Sequence, residues 1–250
     1  VTLSICMAYY RNAGMLAHQM AVWAGYPDDL KAQIEVLVVD DSSPEPAVDV
    51  PRPAGLPALR IGRLSDVKDP TTPPWRQDAA RNRAAHDAVG EWLFLTDMDH
   101  VLPAESLRAL LALINSGTDA VYTFSRLDAP DLTPKRDARG NLHPHPNTYA
   151  MPKARYWSIG GYDEEYCGIY GTDGYWRKNL LSQTDITHLP NVPIIRFPRE
   201  VIADASTRTN RDAFKTNPLV SRRIHEKQQT KQPPAVLVIP YRQQYPEVAA

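Results

Sequence analysis

Two short apolar runs in this chain end in paired acids: Ile34 to Asp41 (IEVLVVDD) and Glu91 to Asp99 (EWLFLTDMD). Runs of this length, apolar almost throughout and closed by turn-forming residues, read as strands covered on both faces. Strands covered on both faces belong to sheets sandwiched between helices, and such sheets are mostly parallel. In a parallel sheet, ligands collect in the crevice beyond the carboxyl ends of the strands. Both acidic clusters, Asp40/Asp41 and Asp97/Asp99, fall at such ends, which predicts an α/β fold with an acidic crevice.

The rest of the first half supports that architecture. Thr2 to Ala8 reads as a further strand, and Ala13 to Ala24 as a helix carrying Leu16, Met20 and Trp23 on one face. Residues 44 to 74 hold eight prolines and show strand character only at Ala58 to Ile61. Arg76 to Val89 is Ala-rich and helical. Pro103 suits the first turn of a helix whose stripe is Leu107, Leu110, Leu111 and Ile114. Asp119 to Phe124 is another strand. Beyond residue 125 the pattern weakens. Residues 126 to 150, with His143 and His145, are polar and Pro-rich and read as a loop or flap. Thr172 to Ser182 returns to helix, and Arg199 to Arg242 carries nine basic against four acidic residues.

Composition excludes several classes. The 250 residues hold 28 Lys and Arg against 29 Asp and Glu, a net charge of −1, so no global field favours nucleic acid or membrane. With 43% apolar residues the chain suits a folded domain, and no run approaches the roughly 18–20 apolar residues of a membrane span. The amino end VTLSICMAYYRN does not read as a signal peptide. Two cysteines, Cys6 and Cys167, make neither a disulfide framework nor a zinc spacing. A reduced, cytoplasmic protein is expected. No Gly-x-Gly-x-x-Gly, Walker A loop or Gly-x-Ser-x-Gly elbow occurs, which sets aside dehydrogenases, P-loop NTPases and α/β-hydrolases.

An Asp-x-Asp at the end of a buried strand aims two carboxylates into the crevice, a set that suits Mg²⁺ or Mn²⁺ bound jointly with phosphate oxygens. A pair of solvated loop acids is the plainer reading of the same residues. The ordered segments LSICMAYYRN, IEVLVVDDSSPEP, RQDAARNRAAHDAVGEWLFLTDMD and IGGYDEEYCGIYGTDGYWRKNL decide between them. Together they resemble the GT-A fold of family 2 glycosyltransferases over roughly residues 2 to 182. That fold is a Rossmann-like, mixed and mostly parallel sheet flanked by helices. Ser42 stands where the family has Gly after its Asp-Asp.

The resemblance implies a metal-dependent, inverting transfer of a sugar from a nucleoside-diphosphate sugar, UDP-sugar foremost, to an acceptor hydroxyl. Ala8, Tyr10, Arg11, Asp40, Asp41, Arg81, Asn82, Asp97, Met98 and Asp99 would then line the donor, with Mn²⁺ or Mg²⁺ on Asp97 and Asp99. A third ligand would come from later in the chain, with His188, Asp204 and His225 as candidates. Trp157, Gly160, Gly161, Asp163 and Glu164 would form the acceptor side. The family's catalytic Glu-Asp falls on Thr172-Asp173, so Asp173 would be the general base. Capping or surface roles remain open for each: Asp40 as a loop cap, Thr172 or Asp173 as an N-cap, Arg81 and Asn82 as a solvated face.

On this reading residues 1–200 form the catalytic domain, with 1–115 the nucleotide half and 116–200 the acceptor half, and 201–250 form a basic extension. That extension, with Arg208, Arg211, Lys215, Arg222, Arg223, Lys227 and Lys231, could close over the diphosphate or meet a phosphorylated or nucleic-acid acceptor. Nothing else supports a nucleic-acid acceptor, and the oligomeric state is left open. Two other enzymes compete. Leu93 to Val101 (LFLTDMDHV) fits the Asp-x-Asp of a haloacid dehalogenase-type phosphatase, with Asp97 as nucleophile, although that motif normally opens its chain. A nucleotidyltransferase would share the architecture but needs a Gly-rich loop that Ala8 to Gly14 is not. A non-catalytic nucleotide-sugar-binding module is the non-enzyme alternative.

Overall fold

The computed structural model describes residues 1–65, 76–169, 173–197 and 218–244. Four parallel strands, β1 (Leu3–Tyr9), β2 (Ile34–Asp40), β3 (Ala58–Leu64) and β4 (Trp92–Leu95), stand in the order β3-β2-β1-β4. The acidic clusters end β2 and follow β4, on either side of β1. They therefore open into one crevice. The sheet continues from β4 through β8 (Pro144–Pro152), β6 (Val121–Asp128), β9 (Ile186–Arg196) and β5 (His100–Val101), while β7 (Thr133–Pro134) pairs with β6. β8 runs antiparallel to both β4 and β6, so the sheet is mixed.

Helices cover both faces. α1 (Ala13–Ala24), α2 (Asp28–Lys31) and α4 (Ala104–Asn115) pack over Leu3, Ile5, Met7, Val36, Val38 and Phe94. α3 (Gln77–Asp87), α5 (Lys153–Ser158) and α6 (Asp173–Gln183) belong to the opposite face, over Cys6, Leu37, Val39, Leu93, Leu95 and Met151. Alternate residues of each central strand thus enter different cores, and this is why the strands read as unbroken apolar runs. α1 starts at Asn12, whose side chain accepts from Met15 N at 3.2 Å. α4 buries Leu107, Leu110, Leu111 and Ile114 as its spacing predicts, each contributing roughly 1.5–3 kcal/mol. Pro103 is its N-cap residue, one place earlier than expected. The buried face of α3 is mostly alanine (Ala79, Ala80, Ala84, Ala85), and side chains this small let it lie close on β1 and β2.

The expected flap at 126–150 is a correction. Its second half is β8, an interior strand. The prolines Pro144 and Pro146 hide the strand pattern, while Thr148, Tyr149, Ala150 and Met151 are buried. β9 has no counterpart in the sequence reading; Pro190 and Pro193 interrupt it. The helix α7 (Pro218–Thr230) and the strand β10 (Tyr241–Gln244), antiparallel to β3, follow. No helix among the described residues is long and apolar enough to cross a membrane.

One buried polar knot ties α3 to the sheet. Glu35 accepts from Ser4 Oγ at 2.5 Å, Arg60 Nη2 at 2.6 Å and Val89 N at 2.6 Å, and Gly90 N donates to Ser4 Oγ at 2.9 Å. A Cβ at Gly90 would meet Ser4 Oγ at 2.7 Å and Ser4 N at 2.9 Å. Gly90→Ala is expected to destabilise the fold by about 1–3 kcal/mol, read as a lower denaturation midpoint at unchanged slope.

Candidate active site

The crevice is built from four strand ends and the start of α6. At the end of β2, Asp40 folds its carboxylate onto the loop that follows, accepting from Ser43 N at 2.6 Å, Ala47 N at 2.9 Å and Arg63 Nη1 at 2.9 Å. Asp41 accepts from Arg76 N at 2.6 Å and Arg76 Nε at 2.8 Å. Burial pushes its carboxyl up to about 7 against the pull of Arg76. Between them, Ser42 adopts φ +50°, a left-handed conformation that favours glycine. Its hydroxyl lies 2.9 Å from Leu64 O and 3.1 Å from Ser65 O, and accepts from Arg76 Nη2 at 2.6 Å. Those bonds hold the left-handed turn with a side chain in place of the family's Gly. At the end of β1, Ala8 and the following Tyr10 are half-buried, and Arg11 is exposed with its guanidinium 5.4 Å from the Tyr10 ring centroid.

The second acidic cluster is the hub. Arg81, fully buried on α3, donates through Nη2 to Asp97 Oδ1 and through Nη1 to the Tyr162 hydroxyl at 3.1 Å. Its Nη1 also lies 3.6 Å from Asp173 Oδ1. Gln77 Nε2 donates to Asp97 Oδ1 at 2.9 Å. Asn147 on β8 reaches Asp97 Oδ2 at 3.4 Å and Asp173 Oδ2 at 3.1 Å. Asp97 and Asp173, 76 residues apart, thus share two partners. Asp173 opens α6 and keeps 33% of its side chain exposed, so it can be reached from the crevice.

The two acids of the Asp-x-Asp turn are driven apart. Burial raises the Asp97 carboxyl, with Arg81 pulling the other way. Burial would raise Asp99 too, but His100, His145 and Arg196 outweigh it and hold Asp99 below the ordinary carboxylate range. His100 Nδ1 is 2.7 Å and Arg196 Nε 3.6 Å from the Asp99 carboxylate. The backbone of the turn is fixed by Gln19 of α1, which donates to Met98 O at 3.0 Å and His100 O at 2.6 Å. Asp97, His100 and His145 bring one ligand atom each to within 4.8 Å of one another. A carboxylate with two imidazoles fits a divalent cation. Burial, then His100, keeps the His145 imidazole well below its ordinary value.

His100, His145, Asn147, Gln77, Gln19 and Arg196 were not singled out for this site from the sequence. The one available signal was His100 beside the Asp-x-Asp. Of the expected third metal ligands, His188 is bound to Ser125 Oγ at 2.9 Å and His225 lies exposed on α7 beside Gln229 at 2.9 Å. Asp204, Thr172, Arg208, Arg211 and Lys215 lie outside the described residues.

Asn82, expected to line the donor, and the residues expected on the acceptor side are joined to one another and to the segment after α7. Asn82 donates to Tyr162 O and Glu164 Oε1, both at 2.8 Å, and accepts from the Tyr156 hydroxyl at 2.5 Å and Tyr162 N at 2.9 Å. Glu164 also accepts from Leu237 N, Val238 N and Ile239 N at 2.7–3.0 Å. Asp163 accepts from Ala235 N at 3.0 Å and from buried Lys227 Nζ at 2.5 Å, and Lys227 also reaches Glu165 at 2.8 Å. Gly160 and Gly161, at φ +94° and +65°, let Pro234 and Asn82 approach within 3 Å of where a Cβ would stand. Trp157 is half-buried, edge-on to Tyr156.

A curled, mixed sheet with an Asp-x-Asp turn at its crevice defines an α/β enzyme of the GT-A class. The chain matches the family model described as Glycosyl transferase family 2 over residues 24–170, more than half its length, and it belongs to that family. The match ends just before Asp173 and favours neither the phosphatase nor the nucleotidyltransferase. No curated protein matches in sequence. Among solved structures, S. aureus TarS 1-349 is similar at TM-score 0.57 and 17% identity, over 80% of this chain and 61% of that one. Its complex with UDP-GlcNAc gives 0.58 and 17%, over 80% and 59%. The mannosyltransferase PcManGT from Pyrobaculum calidifontis, in complex with GDP-Man and Mn²⁺, gives 0.54 and 14%, over 78% and 56%. The chain therefore spans about three-fifths of the TarS chain it matches, and at these identities the likeness concerns the fold.

Lys227 is 3% exposed, and removing its charge leaves Asp163 buried without its cation. Lys227→Met is expected to cost on the order of 3 kcal/mol. Amide exchange should rise first at 235–239, the segment anchored on Asp163 and Glu164.

Proposed function

We propose that this chain moves a sugar from a nucleoside-diphosphate sugar to an acceptor hydroxyl, with metal dependence and inversion of configuration. The observation that carries this reading is the Asp97–Arg81–Asn147–Asp173 cluster. It sets one partly exposed carboxylate, Asp173, beside the Asp-x-Asp turn in a family 2 crevice.

Asp173 accepts the proton of the acceptor hydroxyl as its oxygen bonds to the anomeric carbon and the bond from that carbon to the diphosphate breaks. Attack from the face opposite the leaving group inverts the centre. Asn147 and Arg81 hold Asp173 in orientation. Asp41, braced by Arg76, offers its place at the end of β2 to the base or ribose. The Asp-x-Asp turn would hold a divalent cation, Mn²⁺ or Mg²⁺, which would supply countercharge to the departing nucleoside diphosphate. The 1–115 half binds the donor and the 116–200 half the acceptor. UDP-sugars are the first donors to test, because structures of similar fold are complexes with UDP and UDP-GlcNAc; GDP-mannose is second for the same reason. A cytoplasmic place is the companion proposal.

Calorimetric titration with UDP, GDP, CDP and dTDP, each with and without Mn²⁺, is expected to show one nucleotide bound only, or far more tightly, with metal. Equal affinity with and without Mn²⁺ would remove the metal from the mechanism. Asp173→Asn is expected to keep donor binding while lowering transfer by about 100- to 10,000-fold. A variant that transfers at the wild-type rate would exclude Asp173 as the base.

A further inference from the structure

The Asp-x-Asp turn invites the assumption that Asp97 and Asp99 both bind metal. The surroundings of Asp99 argue otherwise. Its carboxylate faces two positively charged or donor groups, His100 Nδ1 at 2.7 Å and Arg196 Nε at 3.6 Å, so part of its countercharge is already supplied by the protein. His100 is 2% exposed, and neither ring nitrogen makes a hydrogen bond of good geometry. A buried polar group left this way in a native fold points to a missing partner. With Nδ1 turned to Asp99, Nε2 is the nitrogen still without one.

His145 is brought in by β8. It is 6% exposed, its Nδ1 lies 2.9 Å from Thr148 Oγ1, and Nε2 is left over. The two rings lie against each other, tilted by 47°, with centroids 4.1 Å apart. Asp97 adds the third donor. Its Oδ1 is taken by Arg81 and Gln77, whereas Oδ2 has only Asn147 at 3.4 Å. One ligand atom from each of the three residues falls within 4.8 Å of the others, close enough for a side-chain adjustment to bring them onto one ion at about 2.1 Å.

We propose that the cation is held by Asp97, His100 and His145, and that Asp99 is a positioning residue which turns His100 toward the ion. A carboxylate behind a ligating histidine is a recurrent way of fixing the ring and its tautomer. Two imidazoles and one carboxylate select Mn²⁺, Co²⁺ or Zn²⁺ over Mg²⁺, which prefers oxygen. The proposal rests on the metal-dependent reading above and names the ligands within it.

The test is pulsed EPR of the full chain with Mn²⁺ alone, then with Mn²⁺ and UDP. Spin-echo modulation from two histidine nitrogens is expected, and it should change frequency when the protein is labelled with ¹⁵N-histidine. This needs no variant that might unfold. His100→Gln and His145→Gln should each remove one coupling. Asp99→Asn should keep both while weakening Mn²⁺ on the order of 10- to 100-fold. Mn²⁺ bound without nitrogen coupling, no Mn²⁺ bound at all, or a coupling lost in Asp99→Asn would each overturn the assignment. The first and third leave the transferase reading standing. Two couplings in a chain that binds none of the four nucleotides would keep the ligand set and sink the transferase reading instead.

Discussion

Arg81 is the residue on which the crevice depends. An arginine with no exposed surface has given up its hydration, and the fold keeps it only by surrounding it with acceptors. Asp97, Asp173 and the Tyr162 hydroxyl do so, and together they hold its proton more tightly than usual despite the burial. Tyr162 is itself stacked on Trp176 of α6, with centroids 4.4 Å apart. One guanidinium therefore fastens α3, the turn after β4, the loop before α6 and α6 itself. The distance between the two carboxylates that matter most follows from that fastening.

The same arrangement divides labour between neighbouring acids. Asp97 and Asp99 are two residues apart, yet burial raises one and a cluster of cationic and imidazole groups lowers the other. Identical side chains acquire different roles because one is sunk against α3 and the other faces β5, β9 and His145. Gln19, reaching across from α1, pins the backbone between them. A turn held at both carbonyls keeps its geometry when charge arrives, which is what electrostatic preorganisation requires.

The unbroken apolar runs showed the parallel core, and the acids at their ends pointed to the crevice. Both are short-range patterns. What escaped were groups supplied by β8. Its strand character is confined to Thr148–Met151, while Pro144 and Pro146 make the rest resemble a loop. His145 and Asn147 therefore looked like flap residues instead of crevice residues. Asp163 and Glu164 have partners that the sequence does not show. A carboxylate that caps backbone amides is the same residue, in sequence, as one that binds a sugar. Only the fold brings Lys227 and the amides of 237–239 within reach, more than sixty residues away. Ser42 illustrates a substitution read correctly as a departure whose compensation was invisible, since its partners are the carbonyls of Leu64 and Ser65 on a neighbouring strand.

Adjacent positions on α3 face different tasks. Arg81 turns toward Asp97 and Asp173, while Asn82 turns toward Tyr162 and Glu164. Glu164 in turn carries the amides of Leu237, Val238 and Ile239, so the segment at 237–239 hangs from the helix that holds Asp97 and Asp173. Asn82 has no spare hydrogen-bonding capacity; both its donor and its acceptor sides are committed. A shift of Glu164 must therefore either break a buried hydrogen bond or move Asn82, and Arg81 is bound to move with it because both ride on one turn of helix. By this route the segment after α7, remote in sequence from the Asp-x-Asp, is mechanically part of the crevice.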